Sequence, residues 1–211
     1  MSQPTAPHGT IMQRIEAFLN AHGGRGYERL MADRKRALLA PLRGAVVEIG
    51  PGAGANFPHF APDIRWVGLE PNPHMHRYLD RRAKAHGIVA DSHVGGIPDA
   101  GLPEASADAV VSTLVLCSVP DLPAALADIR RMLRPGGRFV FVEHVCAQSG
   151  SRLRRWQERL NSLHQRLPGG CSLTRDIALH LDQAGFRELT LERFEVNAGL
   201  IRPHIAGIAT R

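Results

Sequence analysis

The sequence predicts an α/β fold: a seven-stranded, mostly parallel sheet with helices on both faces. Three observations carry that reading. Short apolar runs alternate with helix-period segments about five times between residues 45 and 145. One of those runs leads straight into the glycine-rich turn Gly50-Pro-Gly-Ala-Gly54. Two further strand-like segments, 188–196 and 204–210, close the chain.

Taken in order, residues 1–9 are polar and read as a frayed tail. Ile11, Ile15, Phe18 and Leu19 recur at helical spacing, which predicts a helix over 10–22 ended by Gly23-Gly24. Tyr27, Leu30, Met31, Leu38 and Leu39 predict a second helix before Pro41. Residues 45–50 read as a buried strand, 53–60 as a short helix and 64–70 as the next strand. A helix over 73–86 follows, with Asn72 as its cap and Pro73 in its first position. Strands over 88–94 and 108–116 come next, and Asp121 caps a helix running to 133. Arg134-Pro-Gly-Gly137 is expected to stop that helix before a strand over 138–145. Leu153, Trp156, Leu160, Leu163 and Leu167 then mark an amphipathic helix ended by Pro168-Gly-Gly170, with Trp156 and the leucines facing the core or a substrate pocket. Thr174 is expected to cap a last helix to 184. This divides the chain into an N-terminal helical lid (1–41) and one α/β domain (42–211), with a helical insertion at about 148–172.

Composition narrows the class. A chain of 211 residues with 44% hydrophobic and 22% charged residues buries a sizeable core and is not disordered. The net charge of +6 is spread over separate arginine-rich patches. Aromatics are few, at 5%, and do not interleave with basic residues as in a nucleic-acid groove, so no nucleic-acid partner is expected. Three cysteines without C-x-x-C spacing argue against a disulfide framework, and the eleven histidines show no ligand spacing, so no metal site is expected. No secretory leader or bilayer-length apolar run is read, which points to a cytoplasmic protein with reduced thiols.

The informative stretch is Val46-Val-Glu-Ile-Gly-Pro-Gly-Ala-Gly-Ala-Asn56. Glycines at a strand-to-helix turn let the backbone approach a ligand at the carboxyl ends of the strands. Glu70 ends the following strand and can accept hydrogen bonds from a ribose diol. Gly50, Gly52 and Ala55 satisfy G-x-G-x-x-A, which a nicotinamide dinucleotide fits. Glu48 and Gly54 extend the pattern to E-x-G-x-G-x-G.

That extended pattern, with Glu70-Pro-Asn-Pro-His-Met75, Asp108-Ala-Val-Val and Leu133-Arg-Pro-Gly-Gly137, resembles the class I S-adenosylmethionine (SAM)-dependent methyltransferases. The resemblance implies a Rossmann-like fold with SAM as cofactor and S-adenosylhomocysteine as its product. It implies that Gly50, Gly52, Gly54 and Asn56 lie beside the methionine part, with Glu48 beneath the turn. Glu70 would bind the ribose, Pro71 and Met75 would pack on the adenine, and Thr113 and Leu114 would face the sulfonium. The family's acidic adenine reader falls near Gly96 and Ile97, which carry no acid, so backbone groups are expected to read the adenine there.

A narrower resemblance includes Leu116-Cys-Ser-Val119, Glu143-His-Val145, Trp156-Gln157, Gly170-Cys-Ser-Leu-Thr-Arg175 and Arg202-Pro-His-Ile205. These segments look like the methyltransferase-like proteins that methylate alkyl thiols in animals. They imply a small thiol acceptor methylated on sulfur, with His144 and His204 as candidate bases. Methylation at N, O or C of a lipid headgroup, quinone or secondary metabolite is the alternative, since this fold hosts all of these. Cys117 reads as a small buried filler, Cys171 as a loop-shaping residue and Arg175 as an exposed side chain or a partner for an acidic substrate group.

Overall fold

Val46 and Val47 lie side by side in the first strand and serve opposite layers. β1 (Ala45–Ile49) is buried along almost its whole length, because successive side chains alternate between two covered faces. In a computed structural model describing residues 10–99, 101–167 and 170–211, β1 pairs in parallel with β2 (Arg65–Glu70) on one side and β4 (Ala107–Thr113) on the other. β3 (Ala90–Val94) extends the sheet beyond β2, and β5 (Leu133–His144) extends it beyond β4. β7 (Pro203–Thr210) runs antiparallel between β5 and β6 (Glu188–Glu195). The order is β3-β2-β1-β4-β5-β7-β6. Connections wind in opposite directions from β1 and β4, so a crevice opens at the carboxyl ends of these two strands.

Helices cover both faces. Val47, Ile49, Val110 and Phe139 pack with Leu126 and Ile129 of α4 (Leu122–Met132) and with Ile177 and Leu181 of α6 (Ile177–Gln183). Val46, Trp66, Val111 and Val140 pack with Leu39 of α2 (Arg25–Leu39) and with Leu79 of α3 (His76–Ala85). Burying these side chains contributes about 1.5–3 kcal/mol each. α2 also buries Lys35, whose ammonium donates to Glu28 at 2.7 Å and so keeps a counter-charge. Asp108 fixes the start of the sheet by accepting from the Ala45 amide at 2.7 Å and from Arg134 at 2.5 Å.

Several local expectations change. No α-helix forms over 53–60; the chain makes turns and a single 3-10 turn, Phe57–His59, because Gly52 and Gly54 hold φ near +57° and +80°. α3 starts at His76 rather than Pro73, although Asn72 still accepts from the His74 amide. β4 stops at Thr113, where Leu114 turns into the left-handed region at φ 58°. Arg134-Pro-Gly-Gly137 does not separate two elements: α4 passes directly into β5, and the ladder shifts register between Ala107 and Ala109. Asp176, not Thr174, caps α6 by accepting from the Leu179 amide.

The face that α5 (Arg152–His164) buries differs from the one its apolar repeat predicts. Trp156 and Leu163 are 54% and 60% exposed, and Leu167, just beyond the helix, is exposed as well. The buried residue is Gln157. Its carbonyl accepts from the Ala147 amide at 2.7 Å and its amide donates to the Leu200 carbonyl at 2.8 Å. The proposed end of this helix at Pro168-Gly169 and the tail over 1–9 lie outside the described residues. No helix among the described residues is long and apolar enough to cross a membrane.

Candidate active site

Gly50, Gly52 and Gly54 follow β1 and all take positive φ, a conformation that side chains disfavour. A Cβ on Gly50 would meet Val115 at 2.6 Å, and one on Gly54 would meet Phe57 at 2.5 Å. The turn therefore excludes side chains by backbone shape and by packing together. Glu48 lies buried beneath it, accepting from Asn56 Nδ2 at 2.8 Å and Trp66 Nε1 at 2.8 Å. Burial pushes its carboxyl up to about 7 against those two donors. Glu48 thus positions Asn56 rather than touching the glycines. Asn56 Nδ2 also donates to Thr113 Oγ1 at 3.0 Å, tying the turn to the end of β4. Its Oδ1 is a buried acceptor at the turn with no partner among the described residues.

Glu70 ends β2 one strand away. Its two oxygens accept from the Gly52 and Asn72 amides, each at 2.9 Å. Desolvation raises its pKa despite these bonds. Each carboxylate oxygen keeps a further lone pair, so a diol still has acceptors there. Pro71 is exposed and Met75 buried. The Gly95 amide donates to the Glu70 carbonyl at 3.3 Å, which brings the Gly96–Ile97 backbone beside the end of β2. The Ile97 side chain itself belongs to the core. These groups suit SAM: an unmatched carbonyl and a glycine turn for the amino-acid end, a carboxylate for the ribose.

α1 (Thr10–His22) lies across this crevice. Asn72 Nδ2 donates to the Gln13 carbonyl at 3.0 Å, and Asn20 Oδ1 accepts from the Ala53 amide at 3.4 Å. Ile11, Ile15, Phe18 and Leu19 face outward.

On the other side of the crevice the loop after β4 meets the end of β5. Glu143 is fully buried; Ser112 Oγ donates to it at 2.6 Å and the Val115 amide at 3.2 Å. Burial moves its carboxyl up to about 7. The carboxylate holds the loop that carries Leu114 and Cys117, a role that its place in Glu143-His-Val145 does not reveal. His144 Nε2 stands 2.8 Å from Cys171 Sγ, and Nδ1 is buried without a partner among the described residues. Cys117 joins them: the ligating atoms of Cys117, His144 and Cys171 all lie within 4.8 Å of one another. Burial pulls the His144 imidazole down, but the neighbouring thiol outweighs it and leaves the ring more basic than usual. Between the sulfurs, Cys117 is held up and Cys171 is held down, as expected when the Cys117 thiol donates to Cys171.

His204 is a different case from His144. Its Nδ1 donates to the Arg202 carbonyl at 3.1 Å, so Nε2 accepts from the Tyr27 hydroxyl at 3.0 Å. Burial lowers its pKa to about 4. A neutral, doubly engaged ring is a poor base and a good prop for the site. Arg175 is neither free nor exposed: it donates to the Leu116 and Val119 carbonyls at 2.7 and 2.5 Å. The sequence shows neither the Cys117–His144–Cys171 cluster nor the part of Gln157, because each depends on which loops the fold brings together.

Comparison with known proteins agrees with this geometry. Residues 47–141 match the family model described as a methyltransferase domain. The chain is similar to two thiol S-methyltransferases of Homo sapiens. TMT1A is 34% identical over 203 residues, covering 88% of this chain and 81% of the relative. TMT1B is 34% identical over 196 residues, covering 87% and 80%. Among solved structures, a geranyl diphosphate methyltransferase in complex with SAM superposes with a TM-score of 0.70 over 99% of this chain and 93% of that one. At 18% identity that likeness speaks for the fold alone. With the glycine turn, its acidic neighbour, the family model and relatives matched over 80–81% of their length in agreement, the chain belongs to the class I SAM-dependent methyltransferases, in the family of the thiol S-methyltransferases.

Proposed function

We propose that the acceptor is a small alkyl thiol, methylated on sulfur. The observation that carries this is the buried imidazole of His144 grouped with two thiols at the end of β5, beside the loop after β4. A thiol reacts as its thiolate and has an ordinary pKa of about 8.5, so the His144 cluster at the acceptor's seat need only favour that form. The similarity to the human thiol S-methyltransferases supports the same reading, because it extends through the segments after residue 141.

In this reading, SAM supplies the electrophilic methyl carbon. Asn56 Oδ1 would accept from the ammonium of the methionine end, Glu70 would hold the ribose hydroxyls, and the Gly96–Ile97 backbone and Met75 would border the adenine. Thr113 and Leu114 would line the approach to the sulfonium. His144 favours the thiolate, while Tyr27 and His204 hold the wall behind it. The protein's chief contribution is alignment of sulfur and methyl carbon for in-line displacement. α1 acts as the lid, whereas α2 belongs to the packed core.

Incubation with methyl-labelled SAM and a panel of alkyl thiols, hydrogen sulfide, phenols and amines tests this. Label is expected in thioethers. Transfer to phenols or amines but to no thiol overturns the acceptor assignment.

A further inference from the structure

Cys117, His144 and Cys171 are 27 residues apart from one to the next, and the fold gathers them at one point. We propose that they form a three-ligand site for a soft divalent cation of the zinc class, with the fourth coordination position left for the acceptor sulfur. The use of that fourth position rests on the thiol reading above; the metal site does not.

The donor set suits such an ion. Two thiolates and one imidazole are ligands that soft metals prefer over harder cations. Tetrahedral zinc, with bonds of about 2.3 Å to sulfur and 2.0–2.1 Å to nitrogen, places its ligands about 3.5–3.8 Å apart. The three donor atoms here lie within 4.8 Å of one another, and the closest pair, His144 Nε2 and Cys171 Sγ, is 2.8 Å apart. These separations depart from that spacing by about 1 Å at most. All three residues are buried. His144 Nδ1 has no partner among the described residues, so it can carry the ring proton while Nε2 ligates.

The backbone around the cluster is already cross-tied. The Ser172 amide donates to the Cys117 carbonyl at 3.0 Å, and His164 Nδ1 donates to the Cys171 carbonyl at 3.0 Å. Arg175 holds the Leu116 carbonyl from the other side. The two cysteine loops are therefore held in register by bonds that do not use the sulfurs. Three protein ligands with one open position is the arrangement of catalytic rather than structural zinc.

The chemistry balances. On binding, the acceptor thiol releases its proton to water and its sulfur takes the fourth position. In transfer, a sulfur–carbon bond forms while the sulfonium–methyl bond breaks. The thioether product has no thiolate charge and leaves as a weaker ligand.

The test uses the full-length protein, reduced and stripped with a chelator, then titrated with Co2+ alone. A sulfur-to-cobalt charge-transfer band that saturates at one equivalent, with tetrahedral d–d bands, is expected. Propanethiol is expected to shift the d–d bands. Cys117→Ser and Cys171→Ser should each weaken Co2+ by about tenfold or more while still binding SAM by calorimetry, and Cys146→Ser should leave the titration unchanged. If the serine variants do not fold, the same titration of His144→Gln decides. Absence of the band, its persistence in the ligand variants, its loss in Cys146→Ser, or d–d bands that propanethiol does not move would overturn the proposal. So would undiminished thiol methylation after chelation. An enzyme that binds Co2+ as described but methylates no thiol would overturn the acceptor reading and leave the metal site standing.

Discussion

Glu48 shows how one side chain links the cofactor crevice to stability. It sits in the core beneath the glycine turn, and its folded pKa is raised to about 7. In the unfolded chain it returns to about 4.5. Between these values the unfolded chain releases the proton and the folded protein keeps it, so stability falls as pH rises from about 4.5 to 7. The span corresponds to at most about 3–4 kcal/mol. Glu48→Gln removes this titration but leaves Asn56 or Trp66 with a poorer acceptor. Denaturant unfolding at pH 5 and pH 7.5 is expected to show the variant gaining at least about 1 kcal/mol on the wild type between the two. The same gap at both pH values would mean that Glu48 is charged throughout. Residues of this kind are partly legible in sequence. Gly50, Gly52 and Gly54 stand out because positive φ selects glycine, and Glu70 stands out by its place at the end of β2. That Glu48 holds Asn56, rather than the turn itself, follows only from the contact.

At the scale of elements, periodicity finds helices more reliably than it finds their buried face. α5 ends at His164, short of its apolar repeat, and Trp156 and Leu163 face out, Leu153 and Leu160 are half-buried, and Gln157 faces in. A polar residue meeting two backbone groups in the interior is invisible to a hydrophobic count. Gln157→Ala leaves the Ala147 amide and the Leu200 carbonyl unpaired, a loss of about 2–4 kcal/mol by thermal or denaturant unfolding. Trp156→Ala is expected to change stability by less than about 1 kcal/mol. If tryptophan proves the costlier loss, the assigned phase of the helix is wrong. α1 supports a second prediction. It bonds to the crevice through Gln13 and Asn20 and adds no strand to the sheet. Removing residues 1–23 should therefore lower kcat/KM by about tenfold or more while the cooperative unfolding transition persists. Full activity in the shortened protein would show that α1 is no lid.

At the scale of the whole molecule, the parallel sheet and its switch point are legible because each strand announces itself locally. The acceptor side is not, because it is assembled from the loop after β4, the end of β5 and the segment after α5, whose only relation is spatial. This division sets the expected pH behaviour of the enzyme. With a thiol acceptor, kcat/KM is expected to rise with pH as thiolate forms. If the His144 cluster favours the thiolate, the rise levels off below the acceptor's own pKa of about 8.5. His144→Gln withdraws that help, so its profile levels off nearer 8.5. The variant should lose about tenfold or more at pH 7 and recover to within about threefold at pH 9.5, where solvent deprotonates the thiol unaided. Steady-state rates across this range, with SAM saturating, provide the check. SAM affinity measured alongside separates the effect from damage to the crevice, which rests on Gly50, Asn56 and Glu70 at the other end of the site. A uniform loss at every pH would mean that His144 does not act by favouring the thiolate. A profile already flat in the wild type would mean that thiolate formation does not limit the rate, and the acceptor would then be sought among groups that need no deprotonation.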